Sequence, residues 1–318
     1  MAKILVTGGA GFIGSNFANA MAEQNHEVVA FDNLSLGVEA NLSDKVKFVK
    51  GDVNKKEDLE SALRQAQGKL GESFDYIVHL AASSSAPMFA DDMYWAYQNN
   101  VCGHIRVMQF AKSIGVKKLL FASTSSIYGN NPTPLTEDQE VVPPNHYSVT
   151  KFAQEGASRV FSKAENMEII AFRFMSVYGI NEDHKKTFAN LASQFTWDIL
   201  SGKQPELYGD GEQKRDFTNV KDVVQGIELA MNTDKKYGFT IFNIGTNKAI
   251  TLIELVEIIN KVAGTDVQPK LVENPVREGY VRTQLADINK ISNELGFKPA
   301  VELEDGLQEI VDRLRHKK

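Results

Sequence analysis

A tyrosine and a lysine one helical turn apart are the residues of this chain best suited to proton transfer. Tyr147 and Lys151 follow the loop Val142–Asn145, and a helix that begins there puts both side chains on one face. A phenol with a pKa of about 10 is a poor base at neutral pH. A lysine ammonium beside it stabilises the phenolate and lowers that pKa, so Tyr147 is predicted to act as a general base on a hydroxyl group.

A cluster of hydroxyl side chains follows the predicted strand Lys118–Ala122. Its members are Ser123, Thr124, Ser125 and Ser126. Thr124 is predicted to hydrogen-bond the same substrate oxygen as Tyr147 and to shuttle its proton. For the other members, the alternative to a role in the site is that their hydroxyl groups cap the end of the strand.

A glycine-rich turn lies near the N-terminus. Within Lys3–Gly14, an apolar strand runs into glycines at positions 8, 11 and 14, and a helix follows. Gly8 permits a sharp turn, and Gly11 lets backbone N–H groups approach a pyrophosphate. Gly14 lets the helix pack on the strand, and the positive end of that helix faces the phosphates. The turn predicts a dinucleotide site, which includes Gly8, Gly11, Phe12 and Ile13.

An acidic residue ends the second predicted strand, His26–Phe31. Asp32 lies about 20 residues beyond the glycines, where a carboxylate hydrogen-bonds an adenosine ribose and repels a 2′-phosphate. Asp32 therefore favours NAD over NADP, and Asn33 is assigned to the same site. The alternative is a surface turn at Asn33–Ser35.

The first half of the chain alternates strands and helices. The further predicted elements are strands Val46–Lys50, Tyr76–Leu80, Lys118–Ala122 and Glu168–Phe172, and helices Lys55–Gln67, Asp92–Ile114 and Tyr147–Ala164. Such alternation predicts right-handed βαβ units and a Rossmann-type, doubly wound parallel sheet of the α/β class. Ligands bind at the carboxyl ends of the strands of such sheets. The predicted cofactor residues at that edge are Asp52, Val53, Leu80, Ala81, Ala82 and Ser123.

The alternation breaks down after Phe172, where the remaining predicted elements form a smaller region. They are helices Thr187–Ser201, Leu252–Val262 and Asp287–Leu295 and a strand Ile241–Ile244. We expect an NAD-binding domain over residues 1–173, with residues 216–245 packing on it. Residues 174–215 and 246–318 are expected to form a discontinuous substrate-binding domain.

The composition excludes several classes of partner. The 318 residues carry a net charge of −6, which does not favour binding to nucleic acid or to an anionic membrane. No apolar run is long enough to span a bilayer, and no signal peptide is recognisable. Cys102 is the one cysteine in the sequence, so an internal disulfide is excluded and the cytoplasm is the expected location. Cys102 itself is expected to be a packed helix residue. No Cys/His cluster predicts a metal.

These motifs together resemble the extended short-chain dehydrogenase/reductase family. The resemblance rests on Thr7–Gly14, Asp52-Val53, His79–Ala82, Asn100-Val101, Ser123-Thr124 and Tyr147 with Lys151, and it runs through essentially the whole chain. Within the family, the chain is similar to nucleotide-sugar epimerases of the UDP-glucose 4-epimerase type. The resemblance implies that Asn100 belongs to the NAD site. It also implies a homodimer formed through helices Asp92–Ile114 and Tyr147–Ala164.

Two later segments, Gly209–Phe217 and Pro275–Gly279, resemble the nucleotide-sugar site of that family. The resemblance places Arg215 and Arg277 beside the substrate diphosphate, where guanidinium groups suit phosphate oxygens. It places Tyr208 on the uracil. The remaining residues implied at the substrate are Ser85, Thr124, Ser125, Ser176 and Gln284.

Departures from the family pattern narrow the range of reactions that the chain could catalyse. Related 4,6-dehydratases carry Asp-Glu after the catalytic threonine, whereas this chain has Ser125 and Ser126, neither of which can act as a carboxylic acid. Dehydration is therefore disfavoured. Ser176 replaces the usual asparagine, which shortens a substrate contact. Gln284 occupies the position that governs whether an N-acetyl group fits, and its intermediate size leaves the glucose and N-acetylglucosamine series open.

The sequence therefore predicts an NAD-dependent 4-epimerase of a UDP-hexose that works through a transient 4-keto sugar. Tyr147 deprotonates the 4-hydroxyl, hydride passes to NAD⁺, the sugar turns about its diphosphate and the hydride returns to the other face. NAD is expected to be bound tightly. The alternatives are a UDP-glucuronate 4-epimerase or another nucleotide-sugar reductase or dehydratase, and, in a different class, an NAD-sensing regulatory protein.

Overall fold

A computed structural model describes residues 1–66, 73–275 and 280–316. Its strands are β1 Lys3–Thr7, β2 Glu27–Asp32, β3 Lys47–Lys50, β4 Tyr76–His79, β5 Lys118–Thr124, β6 Ile169–Phe174, β7 Ser176–Tyr178, β8 Glu206–Tyr208, β9 Lys214–Arg215, β10 Phe217–Asn219, β11 Phe239–Ile244, β12 Ile250–Thr251 and β13 Lys270–Val272. Its α-helices are α1 Phe12–Glu23, α2 Lys56–Ala66, α3 Met88–Asp91, α4 Met93–Tyr97, α5 Gly103–Ile114, α6 His146–Glu165, α7 Leu191–Leu200, α8 Val220–Asn232, α9 Leu252–Ala263, α10 Asn289–Leu295 and α11 Leu303–His316.

Seven of these strands form one sheet in the order β3-β2-β1-β4-β5-β6-β11. Every neighbouring pair in it is parallel. The predicted doubly wound sheet is confirmed. The strand order reverses between β1 and β4, and ligands bind at such a switch point.

The sheet is buried on both faces, which explains why its strands are continuous apolar runs. Ile4 and Val6 of β1 point into one core, where they meet α1 and α8, and Leu5 points into the other, where it meets α2 and α5. A third apolar cluster lies away from the sheet, and its buried side chains include Phe195 of α7 and Leu255 of α9. The cofactor and substrate sites must therefore be sought where this third cluster meets the sheet.

The predicted helix Asp92–Ile114 is instead α4, a π-helical turn over Gln98–Cys102, and α5. The side chain of Asn100 explains the irregularity, because its Oδ1 accepts a hydrogen bond from the Ser83 amide at 2.7 Å and its Nδ2 donates to Thr150 at 2.9 Å. The expectation that Cys102 is packed is wrong. Its side chain is exposed on this turn.

None of the helices in the described part of the chain has the length and hydropathy that a membrane span requires. Within the same residues, no group of three or more His, Cys, Asp and Glu side chains is arranged to hold a metal ion.

Candidate active site

A cavity of about 480 Å³ lies over the carboxyl edge of the sheet. Both the sheet and the region around the third cluster contribute to its walls, which is where the switch point predicts a ligand. The predicted site residues that line it are Gly8, Gly11, Phe12, Ile13, Asp32, Asn33, Val53, Leu80, Ala81, Ala82, Ser85, Ser123, Thr124, Ser125, Tyr147, Lys151, Ser176, Arg215 and Gln284.

The glycine turn between β1 and α1 leaves no room for side chains. Gly8 has a φ of +69°, and a Cβ atom there would lie 2.6 Å from the backbone nitrogen of Ala81. A Cβ on Gly14 would lie 2.0 Å from the carbonyl oxygen of Gly8. Gly11 caps α1 without a side-chain hydrogen bond, and the first turn of α1 has no acidic residue. The free N–H groups therefore face the cavity, as binding of a pyrophosphate requires.

Asp32 ends β2 with its carboxylate held in place. One oxygen accepts from the backbone N–H of Ala10 at 3.1 Å, and the other accepts from that of Leu34 at 2.8 Å. Burial raises the pKa of this carboxyl group, and the two backbone hydrogen bonds oppose that change. Each oxygen keeps a lone pair for a ligand hydroxyl, so the residue fits the ribose of a dinucleotide.

Thr124 and Tyr147 are brought together although they lie far apart in the sequence. Thr124 is the last residue of β5, not a loop residue after it, and Tyr147 lies in the first turn of α6. Both side chains line the cavity, and the Thr124 hydroxyl acts to lower the pKa of the Tyr147 phenol. The Thr124 oxygen accepts from the Ser126 N–H at 3.1 Å, which leaves the threonine proton for another acceptor.

The lowering of the Tyr147 pKa by Lys151 together with an oxidised nicotinamide stays a prediction. In the protein alone, burial raises the pKa of Tyr147 to about 12, and the Thr124 hydroxyl opposes this change. Lys151 instead donates from Nζ to the Ala122 carbonyl at 2.8 Å and to Gln154 Oε1 at 3.2 Å. Burial lowers the pKa of Lys151 to about 7. Desolvation by the closed cleft thus acts against the charge of both groups.

A buried ion pair between Glu155 and Arg173 lies next to Lys151. Glu155, one turn beyond Lys151 on α6, accepts from Arg173 of β6 at 3.0 and 2.8 Å. Its Oε1 also accepts from the Ser123 hydroxyl at 2.5 Å. The negative charge of Glu155 raises the pKa of Lys151 and partly offsets the burial. The network fixes Ser123 and α6 relative to each other.

Three predicted sugar-binding residues form one hydrogen-bonded chain across the cavity wall. Ser176 donates from Oγ to Gln284 Oε1 at 2.7 Å, and Gln284 donates from Nε2 to Ser125 Oγ at 2.6 Å. Gln284 therefore continues the hydrogen-bonded chain from the short side chain of Ser176 to Ser125. The hydroxyl oxygen of Ser85 is buried and has no hydrogen-bond partner among the described residues.

Arg215 lines the cavity beside an aromatic corner. Its guanidinium carbon lies 5.7 Å from the ring centre of Tyr280, and its Nη1 donates to the Lys214 carbonyl at 2.8 Å. Tyr208 lies 6.3 Å from Tyr280, centre to centre, and is not on the cavity wall. Arg277 lies outside the described residues.

Two predicted cofactor residues lie behind the wall. Asp52 accepts from the backbone N–H of Asn54 at 2.8 Å, and its neighbours Gly51 and Val53 face the cavity instead. Asn100 is fully buried and orders the loop after β4, while Asn99 lines the cavity.

Sequence reasoning missed part of the wall formed by residues 182–191. The cavity residues there are Glu182, His184, Lys185, Phe188, Ala189, Asn190 and Leu191. The segment is irregular, with a 3₁₀ stretch over Asp183–Phe188, and it carries no motif. Only its polarity and its position before α7 could have drawn attention to it.

The parallel sheet, the glycine turn and the Thr/Tyr/Lys set define a dinucleotide-binding enzyme. Residues 4–245 match the model of the NAD dependent epimerase/dehydratase family. The chain belongs to this family, and NAD is its cofactor.

Similar proteins act on three different sugars. The structure of the Thermotoga maritima UDP-glucose 4-epimerase with UDP-glucose is 31% identical, has a TM-score of 0.91 and covers 99% of both chains. That of the Methanobrevibacter ruminantium UDP-N-acetylglucosamine 4-epimerase in complex with UDP-N-acetylmuramic acid is 31% identical and has a TM-score of 0.90. It covers 100% of this chain and 99% of its own. The UDP-glucuronate 4-epimerase of Thermodesulfobacterium geofontis is 28% identical over 98% of this chain and 96% of its own.

Proposed function

We propose that this protein is an NAD-dependent 4-epimerase of a UDP-hexose, of the glucose/galactose or the N-acetylglucosamine/N-acetylgalactosamine series. The observation that carries the proposal is that Thr124, Tyr147 and Lys151 line the same cavity as the glycine turn. The next two residues, Ser125 and Ser126, supply no carboxyl group that an elimination of water needs. Proton transfer at one hydroxyl, without dehydration, is the chemistry that this set performs.

In the proposed reaction Tyr147 takes the proton of the 4-hydroxyl and later returns it. The hydride acceptor and donor for carbon 4 would be supplied by bound NAD. Thr124 holds the reacting oxygen and passes the proton, because its hydroxyl lines the same cavity as Tyr147 and keeps its own proton to donate. Lys151 must be charged to stabilise the phenolate, and Glu155 favours that charged form. Arg215 holds the diphosphate while the 4-keto sugar turns.

A neutral sugar is favoured over glucuronate. The side chains assigned to the hexose are the hydroxyl groups of Ser85, Ser125 and Ser176 and the amide of Gln284, and none carries a charge. A carboxylate at carbon 6 gains most from a charged donor. UDP-glucuronate is therefore the second candidate.

We also propose that the protein forms a homodimer through α4, α5 and α6. Large apolar side chains are exposed on these helices, with Tyr94 79% and Val160 71% exposed. The others are Met93, Ile105, Val149 and Phe152. Exposed apolar groups on neighbouring helices are typical of an interface. The cytoplasmic location stays a prediction from the sequence.

The proposed division into two domains has support from the packing. β11, within residues 216–245, forms the edge of the sheet, and the third apolar cluster draws on residues 178–314. Ile291 and Phe297 depart from the division, because they pack into the core on one face of the sheet.

The test is product analysis by NMR of the purified protein with UDP-glucose, UDP-N-acetylglucosamine and UDP-glucuronate, each without added NAD. Conversion of one sugar to its 4-epimer is expected and would name the substrate. A keto, deoxy or pentose product would assign the chain to another reaction of its family. Retained NAD with no conversion of any sugar would favour the sensor.

A further inference from the structure

The segment of residues 180–188 crosses from the third cluster to the helix of the glycine turn. Asn16 of α1 donates from Nδ2 to the carbonyl of Ile180 at 3.0 Å. Asn181 donates from its amide to the Ser15 hydroxyl at 3.4 Å. The segment is thus tied to the first turns of α1, directly beside the turn where the pyrophosphate of NAD is expected to bind.

Lys185 projects from this segment into the cavity. Its Nζ lies 5.6 Å from the ring centre of Phe12, the first residue of α1, and 3.2 Å from Oε1 of Glu182. The lysine side chain is 16% exposed, and that of Glu182 is 1% exposed. Both residues line the cavity. A cation is therefore held at the end of the cavity that contains the glycine turn.

Pairing with the buried Glu182 uses only part of the hydrogen-bonding capacity of this lysine. The carboxylate already accepts from the backbone N–H of Asn190 at 2.9 Å and from the hydroxyl of Ser193 at 2.6 Å. An ammonium group has three protons to donate, and one bond to Glu182 leaves two for a ligand. Glu182 serves to aim Lys185 into the cavity.

The other cations on the wall are engaged elsewhere. Among the described residues, Lys151 and Arg215 are the other Lys and Arg side chains that line the cavity. Lys151 is bonded to Ala122 and Gln154, and Arg215 lies against Tyr280. A helix N-terminus carries only about half a unit of positive charge. A pyrophosphate carries more negative charge than that, so a cation at this turn would strengthen its binding.

We propose that Lys185 binds the pyrophosphate of NAD, so that the 180–188 segment retains the cofactor in the enzyme. The proposal rests on the NAD site and is independent of which sugar is the substrate. It assigns a cofactor-binding role to a residue far from the glycine motif in sequence. It also gives a physical cause for tight NAD binding, because the cofactor is then held by both the sheet and the segment that crosses it.

The test compares Lys185→Gln with Lys186→Gln. Lys186 is the exposed neighbour, and the two variants lose the same charge one residue apart. NAD is removed from each protein, and its rebinding is measured by calorimetry. We expect Lys185→Gln to weaken NAD binding about tenfold or more and Lys186→Gln to leave it unchanged. Lys185→Arg, which keeps the charge, is expected to restore most of the binding.

Two further ligands separate this role from the alternatives. Adenosine lacks the pyrophosphate, so its affinity is expected to be the same in the wild type and in Lys185→Gln. UDP is expected to bind both equally. Wild-type NAD affinity in Lys185→Gln would overturn the proposal, as would an equal loss for adenosine or a loss confined to UDP. Since the wild type must itself bind NAD, a failure of the cofactor assignment would be recognised separately.

Discussion

Removal of the buried charge of Glu155 is predicted to destabilise the protein strongly. In Glu155→Gln the side chain keeps its shape, and the Ser123 hydroxyl can still donate to the amide oxygen. Arg173, however, loses its only ion-pair partner in the described part of the chain, and its side chain is 4% exposed. A charge that cannot reach water is then left uncompensated in the sheet.

The expected magnitude follows from burial. Breaking a buried ion pair by removing one partner costs about 3–5 kcal/mol. For a chain of 318 residues, this lowers the melting temperature by about 4–7 °C. Glu165 on the same helix provides the comparison, because its pair with Lys112 spans 3.7 Å with side chains 43% and 48% exposed. Such a surface pair is worth about 0–1 kcal/mol.

The assay is thermal unfolding of Glu155→Gln and Glu165→Gln, followed by circular dichroism and checked by urea titration. A large loss in the first variant and almost none in the second supports the argument. A loss below about 1 kcal/mol in Glu155→Gln would refute it. A third variant, Glu155→Leu with Arg173→Met, replaces both charges with apolar groups and is expected to recover most of the stability.

Three further outcomes are expected. Tyr147→Phe should lower turnover by about 10²–10⁴-fold while bound NAD, measured by chromatography of the released cofactor, is unchanged; equal turnover would remove Tyr147 from the mechanism. Gly14→Ala should lose bound NAD in the same assay, because its Cβ would lie 2.0 Å from the Gly8 carbonyl oxygen; retention of NAD would contradict the assignment of this turn. Burial lowers the pKa of His79 from 6.5 to about 3, so the unfolded chain takes up the proton first. His79 should therefore contribute a fall in stability of about 1.4 kcal/mol per pH unit as pH drops below 6.5, and His79→Asn should lose that share of the slope.

The sequence predicted the sheet and the cofactor turn because both depend on local patterns. A continuous apolar strand such as Ile4–Val6 requires burial on both faces, and the glycines before α1 are needed wherever backbone approaches backbone. The Asp32 carboxylate was assigned to the cofactor site because Asp32 ends β2. These features were visible from residue type and spacing alone.

The tertiary structure decided what surrounds those motifs. It buried Tyr147, which raises the pKa of its phenol, because desolvation depends on residues distant in sequence. It joined Ser176 to Gln284 and Ser125, a chain that no spacing reveals. It also brought Lys185 to the glycine turn from a segment without a motif. Local sequence thus determined the elements and the reacting groups, whereas charge, burial and the partners of each group depended on long-range packing.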